Sequence, residues 1–155
     1  MSDPIAAKLA SLGITLPAPV TPLANYVPFV VTGNLVFVAG QGPFADGQVA
    51  YAGKIGESFT IEQGQQAARL CFINVLAQLR EACGGDLSRV RRLVRLGGFI
   101  AAPASFTGHA QVMNGASDLA VEVFGDAGRH ARTTIGVPSL PLDFAVEVEA
   151  LAEID

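Results

Sequence analysis

The sequence predicts an α+β sandwich, a single β-sheet with two long helices packed on one of its faces. Three observations carry that expectation. The chain has 155 residues and 50 % of them are apolar, enough for one domain with a sizeable core and unlike a disordered chain. Its apolar residues recur with strand and then helix periods in the order ββαβαββ, after a short N-terminal helix. Only 15 % of the residues are charged, against roughly 25 % in ordinary soluble domains. A sheet with helices on one face must have its other face solvated or covered, and so few charges favour covering it with further copies of the chain. No internal repeat is visible, so residues 1–155 read as one domain, with residues 1–20 as an N-terminal helix and linker.

The elements follow in order. Ser2 or Asp3 can cap a short helix that takes Pro4 in its first turn and ends near Gly13. From Leu9 to Ala45 there is no Asp, Glu, Lys or Arg, but Pro17, Pro19, Pro22, Pro28 and Pro43 break any membrane span and suggest a loop followed by buried strands. Tyr26–Val31 and Leu35–Ala39, rich in β-branched and aromatic residues, flank Thr32-Gly33-Asn34 as a β-hairpin. Residues 45–58 are polar and Gly-rich, a loop with room for a short strand at Gln48–Tyr51. Thr60-Ile61-Glu62-Gln63 is a capping-box sequence, in which the Thr hydroxyl and the Gln side chain each satisfy a backbone N–H of the other. Ala68, Cys71, Phe72, Val75, Leu76, Leu79 and Cys83 then share one helical face, and Gly84-Gly85 ends the helix. Val90–Ile100 is a buried strand, Pro103–Thr107 a turn, and Gly108–Phe124 a second helix stopped by Gly125. Thr133–Val137 is a short strand, and Phe144–Ile154 alternates apolar and acidic residues as the last one.

Composition bounds the partners. A net charge of −4 argues against a protein built to hold nucleic acid or an anionic membrane. Cys71 and Cys83 would lie about 18 Å apart along one helix, too far for a disulfide, and two cysteines make no zinc framework. Met1-Ser2-Asp3-Pro4 lacks the basic and apolar regions of a signal peptide, so a reducing cytoplasm is expected. Arg89, Arg91, Arg92 and Arg95 read as a solvated strand edge that discourages pairing rather than as a phosphate site. Gly40-Gln41-Gly42 is followed by Pro43 and no helix, so it is not a dinucleotide fingerprint. His109 and His130 lack Cys or carboxylate partners at ligand spacing, so no metal and no cofactor is expected. His130, two residues before Arg132, is placed to adjust the pH response of a site there.

Two features could carry chemistry. Alternation on the last strand puts Glu147 and Glu149 on one face with Ala145 and Leu151. On a solvated face they would do nothing, but beside an apolar contact either would be partly desolvated, its pKa raised toward the range of a general acid or base. Arg132 opens the strand before it, where a planar guanidinium suits a carboxylate as well as it suits a surface ion pair. An Arg anchor and a Glu base on adjacent strands would serve a small carboxylate substrate attacked by water.

The block Ala131-Arg132-Thr133-Thr134-Ile135-Gly136-Val137-Pro138-Ser139-Leu140-Pro141, followed by Val146-Glu147-Val148-Glu149-Ala150, resembles the C-terminal signature of the RidA/YjgF family. These are the reactive-intermediate imine deaminases, formerly called endoribonuclease L-PSP. Gly33-Asn34-Leu35-Val36-Phe37-Val38-Ala39-Gly40-Gln41 resembles the family's early strand, and matching segments run from about Tyr26 to Ile154. The resemblance implies a chorismate-mutase-like α+β sandwich with one mixed sheet, a homotrimer with clefts between subunits, and no cofactor or metal. It implies hydrolysis of 2-imino or 2-enamino acids to 2-keto acids and ammonia. By resemblance, Arg132 grips the substrate carboxylate, assisted by the backbone N–H of Thr134, and Glu147 rather than Glu149 activates water. Tyr26, Gly40 and Asn114 line the substrate. Ala39 replaces the family's usual Ser or Thr, Gly136 replaces a polar residue, and the Asn114 and Gly128–Arg132 segments resemble a longer-chain branch. A trimer that binds small carboxylates without turning them over is the alternative, and chorismate mutase is a distant third.

Overall fold

Asp3 starts the first element. Its carboxylate accepts the Ile5 N–H at 2.8 Å and caps α1, Pro4–Ser11. The computed structural model describes residues 3–22 and 24–155, so Ser2, the other candidate cap, lies outside the described residues.

β1 (Phe29–Thr32) and β2 (Leu35–Gln41) form the expected hairpin, with Gly33 at φ 58° in the turn. The pairing begins at Phe29 rather than Tyr26. Pro28 has no N–H to give the ladder, and the Tyr26 N–H turns back to Ala24 O, so Tyr26 sits in a loop. β3 (Phe44–Ala45) and β4 (Gln48–Val49) make a small hairpin of their own where a single strand was expected. Its turn, Asp46-Gly47, has φ of 52° and 76°, the mirror-image geometry that joins two strands closely.

The capping box forms as predicted at α2 (Ile61–Ala82): the Gln63 N–H meets Thr60 Oγ1 at 3.2 Å and the Thr60 N–H meets Gln63 Oε1 at 2.9 Å. Cys83 is the cap at the far end, and both cysteines are buried free thiols. β5 (Val90–Ala101), α3 (His109–Phe124), β6 (Ala131–Val137) and β7 (Val146–Ile154) complete the chain. A tight turn at Pro141–Asp143, with Leu142 and Asp143 at φ 54° and 62°, takes up the chain before β7, which starts at Val146 instead of Phe144.

The main sheet runs β1-β2-β7-β5-β6. Every neighbouring pair is antiparallel except β5 and β6, whose parallel pairing needs a crossover, supplied by α3. α2 packs over β2 and β7, α3 over β5 and β6, and the two helices pack on each other. Gly115 permits that approach, since a Cβ there would run into the Gln65 backbone carbonyl. Phe72, Leu76, Leu93, Leu96 and Met113 are fully buried between helices and sheet.

One expectation fails in this topology and another holds only in part. β6 and β7 are consecutive in sequence but not neighbours, because β5 lies between them. β5 is an interior strand only from Arg95 onward; before it, where Arg91 and Arg92 are exposed, the strand pairs with β7 alone and keeps an open edge, as expected, but Arg89, Arg91 and Arg95 also face Asp155, Glu153 and Glu149 at 3.5, 3.7 and 3.6 Å. The face away from the helices carries an apolar patch, Val30, Phe37 and Ile135 about half exposed beside Phe99 and Leu151, among the charged Glu147, Glu149, Glu153 and Arg95.

Candidate functional site

The alternation predicted for β7 holds. Val146, Val148, Ala150, Ala152 and Ile154 are buried toward the helices, and Glu147, Glu149, Leu151 and Glu153 line the other face. The sequence left Glu147 and Glu149 equivalent; their neighbours separate them. Glu149 reaches Arg95 Nη1 at 3.6 Å, whereas Glu147 forms no ion pair among the described residues. Opposite Glu149, β2 bulges: Val38 pairs with Ala150 and Gln41 with Val148, so Ala39 and Gly40 together face one residue. The bulge brings the Gly40 backbone under the Glu147 carboxyl, so closely that a Cβ would lie 2.9 Å from the carboxyl carbon. Burial, and secondarily the Glu149 carboxylate, push the Glu147 pKa above the ordinary carboxylate range.

Glu147 and Gly40 open into a cleft of about 260 Å³ that also takes in Tyr26, Phe44, Phe144 and residues 20–22. The two phenyl rings pack edge to face, their centres 5.4 Å apart. Buried carboxamides hold the walls. Asn74 Nδ2 donates to Gly42 O and Phe44 O at 3.1 and 3.0 Å, and Gln78 Nε2 donates to Val20 O at 3.0 Å. These wall and support residues escaped the sequence reading. A signal existed for two of them: Asn74 and Gln78 are polar residues one turn apart on the otherwise apolar face of α2.

Arg132 belongs to a second cluster. It pairs in register with Leu96 of β5, so it projects on the helix side of the sheet, along with Thr134. Arg132 Nη1 donates to Asn114 Oδ1 at 2.9 Å and to Ser117 Oγ at 3.2 Å, and Nη2 donates to Ala110 O at 3.4 Å. The Thr134 hydroxyl is buried and has no partner among the described residues. Three of the residues singled out in the sequence, Arg132, Asn114 and Thr134, thus lie together, and the other three, Tyr26, Gly40 and Glu147, lie together elsewhere. One chain does not join the two groups: β5 and the thickness of the sheet stand between them. Among the described residues no three His, Cys, Asp or Glu side chains gather as metal ligands, and no helix is long and apolar enough to cross a membrane.

Residues 6–154 match the family model described as "YjgF/chorismate mutase-like, putative endoribonuclease". The chain belongs to the YjgF family. Among its relatives, Protein TCP17 of Trypanosoma cruzi is 46 % identical over 155 residues, covering 99 % of this chain and 96 % of that one. The crystal structure of Atu1372, a protein of unknown function from Agrobacterium tumefaciens, superimposes with a TM-score of 0.93 at 45 % identity, over 99 % of this chain and 94 % of that one. TdcF of E. coli, solved with bound serine, superimposes with a TM-score of 0.64 at 26 % identity, over 92 % of this chain and 97 % of that one. The departures noted in the sequence have structural counterparts in this YjgF-family chain. Ala39 lines a shallow pocket with Arg95 and Glu149, apart from the Glu147 cleft. Gly136 makes room for the His109 imidazole, which occupies the space that a Cβ would need.

Proposed function

We propose that this protein hydrolyses reactive 2-imino or 2-enamino acids to 2-keto acids and ammonia, in clefts where the Glu147 group of one copy meets the Arg132 group of another within a homotrimer. The observation that carries the reading is the Glu147 carboxyl: desolvated, without a cation, held over a bare glycine backbone, and facing a cleft with a tyrosine. Such a group is suited to hold a water and take its proton near neutral pH. The half-exposed apolar face around Phe37 and Ile135 is the surface that trimer formation would cover.

The chemistry is undemanding. An imine carbon is already electrophilic, so catalysis needs orientation, a deprotonated water and a proton for the departing amine. Arg132 grips the substrate carboxylate in bidentate fashion, with the Thr134 backbone N–H beside it. Asn114 holds the guanidinium through its Oδ1 and keeps its amide N–H groups for the ligand. Glu147 takes a proton from water as the oxygen attacks C2. That proton passes from Glu147 to the nitrogen of the resulting carbinolamine; as the C–N bond breaks, the again ionised Glu147 takes the hydroxyl proton, which leaves with the ammonia, and the keto acid is released. Tyr26 lines the reacting end of the cleft. That TdcF was solved with serine supports a small amino- or imino-acid ligand at this fold.

The second reading, a trimer that binds small carboxylates without turnover, draws on Ala39, which removes a hydroxyl from the bulge next to Gly40. A phosphate-backbone ligand is less favoured, because Arg89, Arg91 and Arg95 are offset by acids of the chain's last strand and end. The test is keto-acid and ammonia release from imines generated in situ by an amino-acid oxidase. Wild type should accelerate release, and Arg132→Ala and Glu147→Ala should return it to the uncatalysed rate. A wild-type protein no faster than buffer would leave the binding reading in its place.

A further inference from the structure

His130 is tied at both ring nitrogens. Nδ1 lies 2.6 Å from Gly128 O and Nε2 lies 2.9 Å from Ser117 Oγ. A carbonyl only accepts, so Nδ1 carries a proton. In a neutral ring Nε2 is then the acceptor, and Ser117 must donate its O–H to it. The lone pairs of Ser117 Oγ are thereby turned toward Arg132, whose Nη1 donates to that oxygen at 3.2 Å. The chain of protons runs one way, from Arg132 to Ser117 to His130, with the last ring proton on Gly128 O.

We propose that His130, acting through Ser117, is a positioning residue for Arg132: by accepting the Ser117 proton it keeps Oγ available to fix the guanidinium for carboxylate binding. The proposal rests on the reading of Arg132 as the carboxylate anchor. The charged groups on the elements around His130 agree with a neutral ring. Asp126 is paired with Arg129, Glu122 with Arg69 and Arg95 with Glu149, Asp118 is exposed, and burial together with the Arg132 charge lowers the His130 pKa. Without this link the guanidinium keeps Asn114 Oδ1 and the more distant Ala110 O, both on α3, and loses the one hydroxyl that ties it to the loop before its own strand.

A ring that merely braced the turn at residues 125–128 would not affect binding in a graded way, so the test uses conservative pairs. The probe is 2-oxobutanoate binding by calorimetry, alongside kcat and KM for the imine assay. Ser117→Ala and His130→Ala should weaken the keto acid and raise KM about tenfold with kcat within about twofold, the pattern of lost uniform binding. Ser117→Thr keeps a hydroxyl and His130→Gln keeps an acceptor at the Nε2 position, so both should recover most of the affinity. Ser117→Ala removes a single oxygen from a helix and serves if His130→Ala does not fold. If Arg132→Ala loses keto-acid binding while Ser117→Ala and His130→Ala bind as wild type, the positioning role is overturned. A His130→Gln variant as weak as His130→Ala overturns the acceptor role. If Arg132→Ala itself binds as wild type, it is the anchor reading that fails.

Discussion

Arg132 and Glu147 project from opposite faces of one sheet, with β5 between their strands. Period-two alternation cannot reveal this, because the face on which each strand places its residues depends on register against a third strand. If both groups act on one substrate, as proposed, they do so from different copies of the chain.

Two inactive variants should rescue each other. If Arg132 and Glu147 act from different copies, mixing Arg132→Ala with Glu147→Gln and allowing subunits to exchange creates some intact clefts. Random mixing of equal amounts should restore about a quarter of the wild-type sites. Activity that stays at background after exchange, verified by mass spectrometry of mixed oligomers, would place each site within one chain.

The pH profile should carry the signature of Glu147. As a base it works ionised, so activity should fall as pH drops through its raised pKa, at a higher pH than for an ordinary carboxylate. Glu149→Gln removes the neighbouring negative charge and frees Arg95, and both changes should move that limb to lower pH. Stability has the opposite sense. A carboxyl with a raised pKa holds its proton more tightly folded than unfolded, so its contribution is full below the unfolded pKa and is lost as pH rises through the folded one. Glu147→Gln should therefore melt higher than wild type at neutral pH while being inactive, read by calorimetry beside the rate assay.

Gly40→Ala should separate folding from activity. The added methyl meets the Glu147 carboxyl, a side-chain end that can swing away, so the melting temperature should change little. Displacing a catalytic group by an ångström costs about 10²-fold in rate, and kcat should fall by that order. An alanine variant as active as wild type would show that Glu147 need not lie over the bulge.

The cleft wall should select the substrate side chain. Phe44, Phe144, Val20 and Pro22 are apolar and the one charged group among the lining residues is Glu147. Imines of leucine or phenylalanine should thus show kcat/KM above those of aspartate or glutamate by about tenfold or more, since an unpaired second carboxylate is left facing the Glu147 charge. Equal values across the series would place the side chain outside this cleft.

Asn74→Ala should loosen the floor of the same cleft. Its amide serves Gly42 O and Phe44 O inside the protein. Losing a buried donor to backbone carbonyls costs about 2 kcal/mol, a drop in denaturant midpoint that Asn74→Gln should only partly recover, since the longer side chain misplaces the amide.

Much of the architecture was written in local patterns. The capping box at Thr60 and Gln63, the stop at Gly125 and the alternation in β7 are short-range devices, and short-range devices are legible residue by residue. β1 starts later than its composition suggests: the β-branched and aromatic content at Tyr26 and Val27 promises a strand, while Pro28 ends the ladder there. Where the edge of β5 ends is a matter of strand order, a long-range property: Arg95 lies beside β6 inside the sheet, while Arg91 and Arg92 keep an open side. Within the site, the sequence pointed to Arg132, Glu147, Tyr26, Gly40, Asn114 and Thr134 through a family resemblance. It had no means of finding Ser117, Phe44 or Phe144, which are ordinary residues until the chain folds them against those positions.

By itself the sequence determined the elements, the face that each helix buries and the family, since these follow from the spacing of apolar residues, caps and turns along one chain. Only the tertiary structure decided which carboxylate is left without a cation and on which side of the sheet each group stands. Those are questions of register and strand order, set by how β7 inserts between β2 and β5 and how α3 carries the chain to the far edge.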